Sequence, residues 1–280
     1  MKNAMQLKVF VKKIAKEKNI SAQLVMQNYM LERLLERISV SRYRHNFILK
    51  GGFLIAAMVG LDTRTTMDMD ATIKGFPVNE STVRQIFEEI CSIELDDEIT
   101  FALGGTDEIR EKDAYSGYRV SLTANYPPMK VPLKIDITTG DEITPHEIEY
   151  NFSLMLENRY ISVLAYNLET VLAEKLETII SRGDQSTRPR DYYDVYILTK
   201  LQRHNLELRF LRQSLYATAH KRGSSEIVRN GKRIMETVKA SPIMQDHWVR
   251  YQENNEYARD ITFTEACDSV IHILNELGGF

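Results

Sequence analysis

The feature that most constrains the fold is a short apolar stretch that ends in two glycines, Phe47-Ile48-Leu49-Lys50-Gly51-Gly52. Aromatic and β-branched residues that run into a glycine pair are typical of a buried strand followed by a tight turn. The apolar residues 53–59 then predict a buried helical segment. Because the amides at a helix start bind anions, this turn is a candidate phosphate site.

A second predicted strand, Thr65 to Ile73, carries two carboxylates on one face. Since side chains alternate along a strand, Asp68 and Asp70 share one face, while Met67 and Met69 share the other, which we expect to be core. Asp is disfavoured within strands, and Mg²⁺ takes one or two carboxylates together with phosphate oxygens. The pattern therefore favours a metal and phosphate site; two hydrated carboxylates on an exposed face are the alternative.

A third candidate carboxylate is Asp136, on the predicted strand Val131 to Thr138, where it shares a face with Lys134 and Thr138. If this strand pairs beside the Asp68/Asp70 strand, Asp136 comes within about 5 Å of one of those positions. Three carboxylates would then converge on one pocket. Other acidic pairs lie in acidic surroundings that favour a solvated face: Glu94/Asp96, Glu111/Asp113 and Glu147/Glu149.

Length and composition are those of a soluble globular protein. The chain has 280 residues, of which 43% are hydrophobic and 27% charged, enough for one large or two small domains. It shows neither an apolar run of membrane-spanning length nor a signal-peptide core at Met1. Cys91 and Cys267 lack metal-site spacing, so we expect a cytoplasmic protein with free thiols and no membrane association.

The positive charge is concentrated near the carboxyl end. From Lys200 to Ala240, ten Lys and Arg residues face three Glu residues, a local balance of +7 in a chain whose net charge is −3. This asymmetry suggests a docking surface for a polyanion or an acidic partner. Amphipathic helices with solvated basic faces are the alternative.

Helical and strand patterns divide the chain near residues 158–167, which places the expected domains at 1–160 and 161–280. Ser21 is a predicted N-cap, and either Asn79 or Ser81 is predicted to cap the helix that follows. The glycines 104–105 and residues 126–128 are predicted turns. The helices expected from apolar periodicity are 4–18, 21–40, 79–93, 206–219, 226–238 and 264–277, and the further strands are 99–103 and 118–124.

Another helix is expected between Asn167, a candidate N-cap, and Gly183, a candidate stop. Lys175 borders its apolar stripe, where a lysine either extends into solvent or has an anionic partner. Pro189 then begins a further helix. Asp191 lies in the first turn of this helix, where an acid interacts favourably with the helix dipole. Asp194 lies one turn later on the same side, so the dipole explains its presence less well.

Four separated segments occur in an order that resembles the AbiEii/AbiGii family of nucleotidyltransferase-like toxins, from bacterial abortive-infection systems and the polymerase-beta type superfamily. The segments are Lys50-Gly51-Gly52, Arg64 to Asp70, Leu133 to Ile137, and Ala173-Glu174-Lys175-Leu176 followed by Arg188 to Asp194. The resemblance implies an α+β, two-lobed fold, with a mixed sheet flanked by helices and a helical C-terminal lobe that contributes Lys175, Asp191 and Asp194 to the cleft.

The resemblance also implies roles for individual residues. Asp68 and Asp70 would bind Mg²⁺, with Asp136 as a third metal carboxylate, and Lys175 would contact phosphate while Asp191 and Asp194 complete the catalytic pocket. The residues expected to bind the nucleoside triphosphate are Lys50, Gly51, Gly52, Arg64, Thr65, Thr66, Arg182 and Arg190. The superfamily often has Gly-Ser where this chain has Gly51-Gly52, so backbone amides replace a hydroxyl contact to phosphate.

The function implied is transfer of a nucleotide from a nucleoside triphosphate to an acceptor, such as the 3′ end of tRNA, by a toxin paired with an antitoxin that carries a DNA-binding domain. Three alternatives stay open at this stage. The chain could be a non-catalytic module that binds nucleotide or RNA, a small-molecule nucleotidyltransferase of the antibiotic-modifying type, or a metal-dependent nuclease.

Overall fold

The computed structural model describes residues 4–109 and 117–278, so the Glu111/Asp113 pair and residues 1–3 lie outside the described residues. The chain divides into two compact units, Met1–Asp141 with Ile148–Ala165, and Glu142–Glu147 with Tyr166–Phe280. This division differs from a single cut after residue 160 in two places, because residues 161–165 belong to the first unit and Glu142–Glu147 belongs to the second.

The first unit is a seven-stranded mixed sheet with helices, as the sequence predicts. The sheet order is β3-β4-β5-β2-β1-β7-β6, with β2–β5 and β1–β7 parallel and the other neighbours antiparallel. The elements are α1 Ala4–Glu17, α2 Ala22–Val40, β1 Phe47–Lys50, α3 Gly51–Val59, β2 Met69–Ile73, α4 Glu80–Cys91, β3 Thr100–Ile109, β4 Gly117–Tyr126, β5 Met129–Thr139, β6 Ile148–Ser153 and β7 Tyr160–Ala165.

The two predicted N-caps in this unit are confirmed. Ser21 Oγ accepts a hydrogen bond of 3.1 Å from the amide of Leu24, and Asn79 Oδ1 accepts one of 2.9 Å from the amide of Thr82. Each bond satisfies an amide that the helix itself leaves unpaired. The core lies between the helices and the sheet, where Met69, Ala71 and Ile73 of β2 and Leu133, Ile135 and Ile137 of β5 are buried.

The strand predicted from Thr65 to Ile73 is wrong at its start, because β2 begins only at Met69. Its neighbour β1 has four residues and pairs with residues 70–73, so on that side no strand of the described residues lies beside the segment before Met69. Met67, predicted as core, is 40% exposed. The carboxylate of Asp68 therefore lies before the strand rather than on it.

Two further expectations differ from the structure. Gly104 and Gly105 do not form a turn but continue β3, where the register with β4 shifts between Leu103 and Gly105. Glycine in a strand accommodates such a bulge as readily as it accommodates a turn. The hairpin of β6 and β7 was not expected, and β7 occupies the segment interpreted as an interdomain boundary.

The second unit is helical, as expected. Its helices are α5 Leu168–Arg182, α6 Pro189–Leu201, α7 Leu208–Lys221, α8 Ser225–Arg229, α9 Gly231–Ala240, α10 Pro242–Asn254 and α11 Phe263–Glu276. Asn167 Oδ1 caps α5 at the amide of Thr170, 2.7 Å away, and Gly183 ends the helix with φ +52°, both as predicted.

The helix predicted over 226–238 is interrupted at Asn230, so that α8 and α9 are separate, and α10 was not expected. Gly231 lies against α5, since a Cβ there would be 3.0 Å from Ile180 Cδ1. No helix among the described residues combines the length and the apolar character needed to cross a bilayer.

Candidate functional site

The carboxylate of Asp70 lies against the first backbone amides of the glycine turn. Gly51 has φ +66°, a conformation that favours glycine, and a Cβ at this position would overlap the carboxylate of Asp70. The amide of Gly52 donates a hydrogen bond of 3.3 Å to Asp70 Oδ2. The expected anion position at the start of α3 is therefore bordered by a side chain of the chain itself.

Gly52 is also closely surrounded. A Cβ there would lie 3.0 Å from Thr66 Oγ1 and 3.3 Å from Arg64 Nη2. The predicted nucleotide-binding residues Arg64 and Thr66 thus border the glycine turn, and both are buried. Thr66 Oγ1 donates to the carbonyl of Asp68 at 3.2 Å, and Arg64 Nη1 donates to the carbonyl of Thr65.

The segment that leads to Asp68 is held by two side chains of α2 that the sequence analysis did not single out. Asn28 Nδ2 donates to the carbonyl of Thr66 at 2.7 Å, and Gln27 Nε2 donates to that of Met67 at 2.8 Å. Both side chains are buried. In the sequence, the two residues form a polar pair within the apolar stripe of α2. Such a pair is uncommon in a buried stripe unless its side-chain amides have backbone partners.

Four charged residues form a row across neighbouring strands. Lys50 lies opposite Asp70, Asp70 opposite Asp136, and Asp136 opposite Arg119, on β1, β2, β5 and β4. Residues directly opposite in a sheet project from the same face. The expected pairing of Asp136 beside Asp70 is confirmed, and Arg119 is an additional member that single-strand patterns could not reveal.

The two ends of this row are closed by ion pairs. Arg119 Nε donates to Asp136 Oδ1 at 2.8 Å and Nη2 donates to Oδ2 at 2.7 Å. The hydrogen bonds to Asp136, followed by the charges of Asp136, Asp68 and Asp70, raise the pKa of Arg119. Lys50 is buried and pairs with Asp141, whose Oδ2 also accepts a 2.6 Å hydrogen bond from Thr138.

The residues fit a divalent cation only in part. The carboxylate of Asp68 is exposed and makes no hydrogen bond or ion pair with another described residue, and with Asp70 it supplies the two carboxylates that Mg²⁺ uses when phosphates complete its shell. Within residues 4–109 and 117–278, no group of three or more His, Cys, Asp and Glu is arranged to hold a metal ion. The role of Asp136 as a third metal carboxylate stays a prediction, and both of its carboxylate oxygens accept hydrogen bonds from Arg119.

In the second unit, Lys175 has the anionic partners that the sequence left open. Its Nζ lies 2.6 Å from Asp191 Oδ1 and 2.9 Å from Asp194 Oδ2. Both carboxylates are buried, and Arg188 Nε lies 3.1 Å from Asp191 Oδ2. Two cations thus neutralise two buried carboxylates. Lys175 therefore has a structural role, because its ion pairs connect α5 to α6.

The arginines of the loop between α5 and α6 differ in their environment. Arg188 is paired with Asp191. Arg182 and Arg190, the two expected to bind nucleotide, are exposed, and their side chains make no hydrogen bond or ion pair with another described residue. Their guanidinium groups are accessible to an anion in solution, whereas that of Arg188 is engaged.

The basic stretch 200–240 is less positive than its composition suggests. At least five of its ten cations are paired with acids, and most of those acids come from outside the stretch: Arg203–Glu276, Arg209–Glu207, Arg222–Glu174 and Glu177, Arg229–Glu226, and Lys239–Asp268. Lys232 and Arg233 on α9 are exposed without an ion pair to any described residue. Trp248 is buried and donates to the carbonyl of Ile261, as expected for a packing residue.

Comparison with known proteins agrees with this geometry. Residues 33–269 match the family model described as nucleotidyl transferase AbiEii toxin, type IV TA system. A Helicobacter pylori protein crystallised as a candidate nucleotidyltransferase has a similar structure, with a TM-score of 0.56 at 14% identity over 92% of this chain and 96% of that chain. JHP933 from Helicobacter pylori gives 0.54 at 14% identity over 92% of each chain. At this identity the likeness concerns the fold alone. No curated protein matches the chain significantly.

Proposed function

Because the chain belongs to the AbiEii family of nucleotidyltransferase toxins of type IV toxin–antitoxin systems, we propose that it transfers a nucleotide from a nucleoside triphosphate to an RNA acceptor, with tRNA as the first candidate. The observation that carries the proposal is the position of Asp70 at the Gly51-Gly52 turn, with Asp68 two residues away and Arg64 and Thr66 beside the glycines. These are the residue types that phosphate and a divalent cation require.

In the proposed reaction, an acceptor hydroxyl attacks the α-phosphorus in line with the bond to the β-phosphate. A bond forms between the hydroxyl oxygen and the α-phosphorus, the bond to the bridging oxygen breaks, pyrophosphate leaves, and the hydroxyl proton is released to solvent. Phosphoryl chemistry of this kind depends mainly on positioning and on charge stabilisation. The amides at the start of α3 are the proposed contact for the triphosphate.

Asp68 and Asp70 would hold Mg²⁺, which when bound would neutralise phosphate charge and lower the cost of the attack. The chain's own contribution is to orient these carboxylates. The Gly52 amide holds Asp70, and Gln27 and Asn28 hold the segment before Asp68. The roles that the resemblance gives to Lys175, Asp191 and Asp194 stay predictions.

An RNA acceptor is proposed because exposed cations are available on α9. Lys232 and Arg233 are exposed and make no ion pair with a described residue, as a contact to a phosphate backbone requires. Asp68 and Asp70 argue against a module that binds RNA without a cation, since carboxylates repel the phosphate backbone. The biological setting we propose is a cytoplasmic, abortive-infection response to phage, controlled by an antitoxin with a DNA-binding domain.

The test is incubation of the purified protein with Mg²⁺, total bacterial RNA and each α-labelled nucleoside triphosphate in turn, with Asp70→Asn as the inactive variant. Asp96→Asn is the matched control, because Asp96 is an exposed acid of the same unit with no ion pair to a described residue. Label in a discrete RNA band with the wild type and Asp96→Asn, and none with Asp70→Asn, would support the proposal and identify the nucleotide.

Other outcomes identify the alternatives. Label in a small-molecule fraction would indicate an antibiotic-type transferase, and RNA cleavage without a nucleoside triphosphate would indicate a nuclease. Growth arrest that persists in an Asp68→Asn/Asp70→Asn double variant would favour a binding module. Label in RNA that is unaffected by Asp70→Asn would contradict the assigned site.

A further inference from the structure

Arg119 is the cation that the sheet places beside Asp136, just as Lys50 lies beside Asp70 at the other end of the row. It lies opposite Asp136 in the β4–β5 pair, and Asp136 lies opposite Asp70 in the β5–β2 pair. Its charge interacts with Asp136 most strongly, and also with Asp68 and Asp70. A guanidinium group remains protonated at any working pH, so this positive charge is permanent.

The geometry of the Arg119–Asp136 ion pair limits the ability of Asp136 to bind a metal ion. Both carboxylate oxygens accept a hydrogen bond from the same guanidinium, at 2.8 and 2.7 Å, which is the strong bidentate form of this ion pair. To bind a divalent cation, Asp136 would have to exchange this partner for a second cation at the same oxygens. Two cations on one carboxylate repel each other.

The charges at the site lead to the same conclusion. Asp68, Asp70, Asp136 and Asp141 contribute four negative charges, and Arg119 and Lys50 contribute two positive charges, which leaves two negative charges. These match a single divalent cation, and a nucleoside triphosphate brings the further oxygens that the cation needs. The Arg119 guanidinium is also accessible from solvent, because 40% of the side chain is exposed and Nη1 donates no hydrogen bond to another described residue.

We propose that Arg119 takes the place of a second metal ion in this transferase, as a positioning residue that holds Asp136 out of the metal shell, so that the protein binds one divalent cation per nucleotide on Asp68 and Asp70. This inference rests on the proposed function. It assigns to Asp136 a role different from the metal ligand that the family resemblance implies.

The test is the stoichiometry of Mn²⁺ binding, measured by electron paramagnetic resonance with the full chain and the non-transferable α,β-methylene analogues of the four ribonucleoside triphosphates. We expect a single Mn²⁺ ion in the wild type and in Asp136→Asn, since Asp136 is not a ligand. Arg119→Gln should gain a second Mn²⁺ ion because it frees Asp136, and Arg119→Gln/Asp136→Asn should return to one.

The matched control is Arg84→Gln, because Arg84 is an exposed arginine of the same unit paired only loosely with Glu88 at 3.6 Å; its stoichiometry should equal that of the wild type. Circular dichroism melting curves establish that each variant is folded, and the double variant, which leaves no unpaired charge, serves where Arg119→Gln alone does not fold.

A wild type that binds two Mn²⁺ ions and loses one in Asp136→Asn would overturn the inference and leave nucleotidyl transfer intact. Unchanged stoichiometry in folded Arg119→Gln would also overturn it. If the wild type binds no Mn²⁺ with any analogue, the inference fails, and the labelled-nucleotide assay then decides whether the proposed function fails as well.

Discussion

Asp70 Oδ2 accepts a 3.3 Å hydrogen bond from the backbone amide of Gly52, so a carboxylate assigned to metal binding lies on the amides assigned to phosphate binding. A phosphate at the start of α3 must therefore share these amides with Asp70 or displace it. A divalent cation would favour their approach by lying between the two anions. The turn and the acid act as one structural feature, and a change in either should affect both ligands.

Gly51→Ala should damage this feature directly. The methyl group would overlap the Asp70 carboxylate, and φ +66° is strained for alanine, so we expect a loss of about 1–3 kcal/mol in the free energy of unfolding and loss of nucleotide binding. Urea unfolding and binding of a fluorescent nucleotide measure the two effects. Gly105→Ala, at a glycine with nothing within 4 Å of the added methyl group, is the control.

Asp70→Asn should leave the fold intact and reduce transfer by roughly 100-fold or more, because an electrostatic contact to the reacting phosphates is removed. The measurement is the initial rate of label transfer at saturating nucleotide, with a melting curve to establish folding. Asp96→Asn should retain the wild-type rate. A folded Asp70→Asn protein with the wild-type rate would remove Asp70 from the site.

Lys175→Met should be strongly destabilising, by about 3–5 kcal/mol, because it leaves two buried carboxylates without their ammonium partner. Urea unfolding measures the loss. Adding Asp191→Asn and Asp194→Asn should recover part of it, since no uncompensated charge then remains. Lys232→Met, at an exposed lysine of the same unit, should cost little. A loss below about 1 kcal/mol, the range of exposed ion pairs, would contradict the buried-cluster interpretation.

The pH dependence of stability should carry a contribution from Glu32 on α2. Burial raises the pKa of Glu32 from 4.5 to about 7, although the charge of Arg33 and the amide of Met155 lower it. Since its pKa is raised on folding, Glu32 stabilises the fold below pH 4.5, and this contribution is lost as the pH rises towards 7.

Glu32→Gln should therefore flatten the decrease in the free energy of unfolding between pH 5 and 7 in urea titrations, a window set by that shift. The amide oxygen of Gln can still accept from Met155. Glu94→Gln, at an exposed acid of the same unit, should keep the wild-type profile. An identical profile in Glu32→Gln and the wild type would show that Glu32 titrates alike in the folded and unfolded chain.

Lys232→Ala/Arg233→Ala should weaken RNA binding and reduce its salt dependence. Loss of two phosphate contacts should lower the slope of log K against log salt by about 1.4 for a single strand. Filter binding of bulk tRNA over a salt series measures both quantities. Lys12→Ala/Lys16→Ala removes the same charge from exposed positions of α1, and an equal effect there would indicate non-specific attraction.

The sequence by itself determined the local features of this protein. The strand and glycine turn at 47–52, the caps at Ser21, Asn79 and Asn167, and the stop at Gly183 follow from backbone requirements that neighbouring residues meet. The ordered motifs were also sufficient to indicate the family, because each motif is a short segment. All of these depend on contacts within a few residues, which a single sequence records.

The tertiary structure decided which distant residues meet. Arg119 reaches Asp136 only through the register of β4 and β5, and Lys175 reaches Asp191 and Asp194 only because α5 packs on α6. The start of β2 at Met69, rather than Thr65, depends on the length of its neighbour. Residue spacing along one strand or helix records which side chains share a face, but not which partner from elsewhere in the chain lies opposite them.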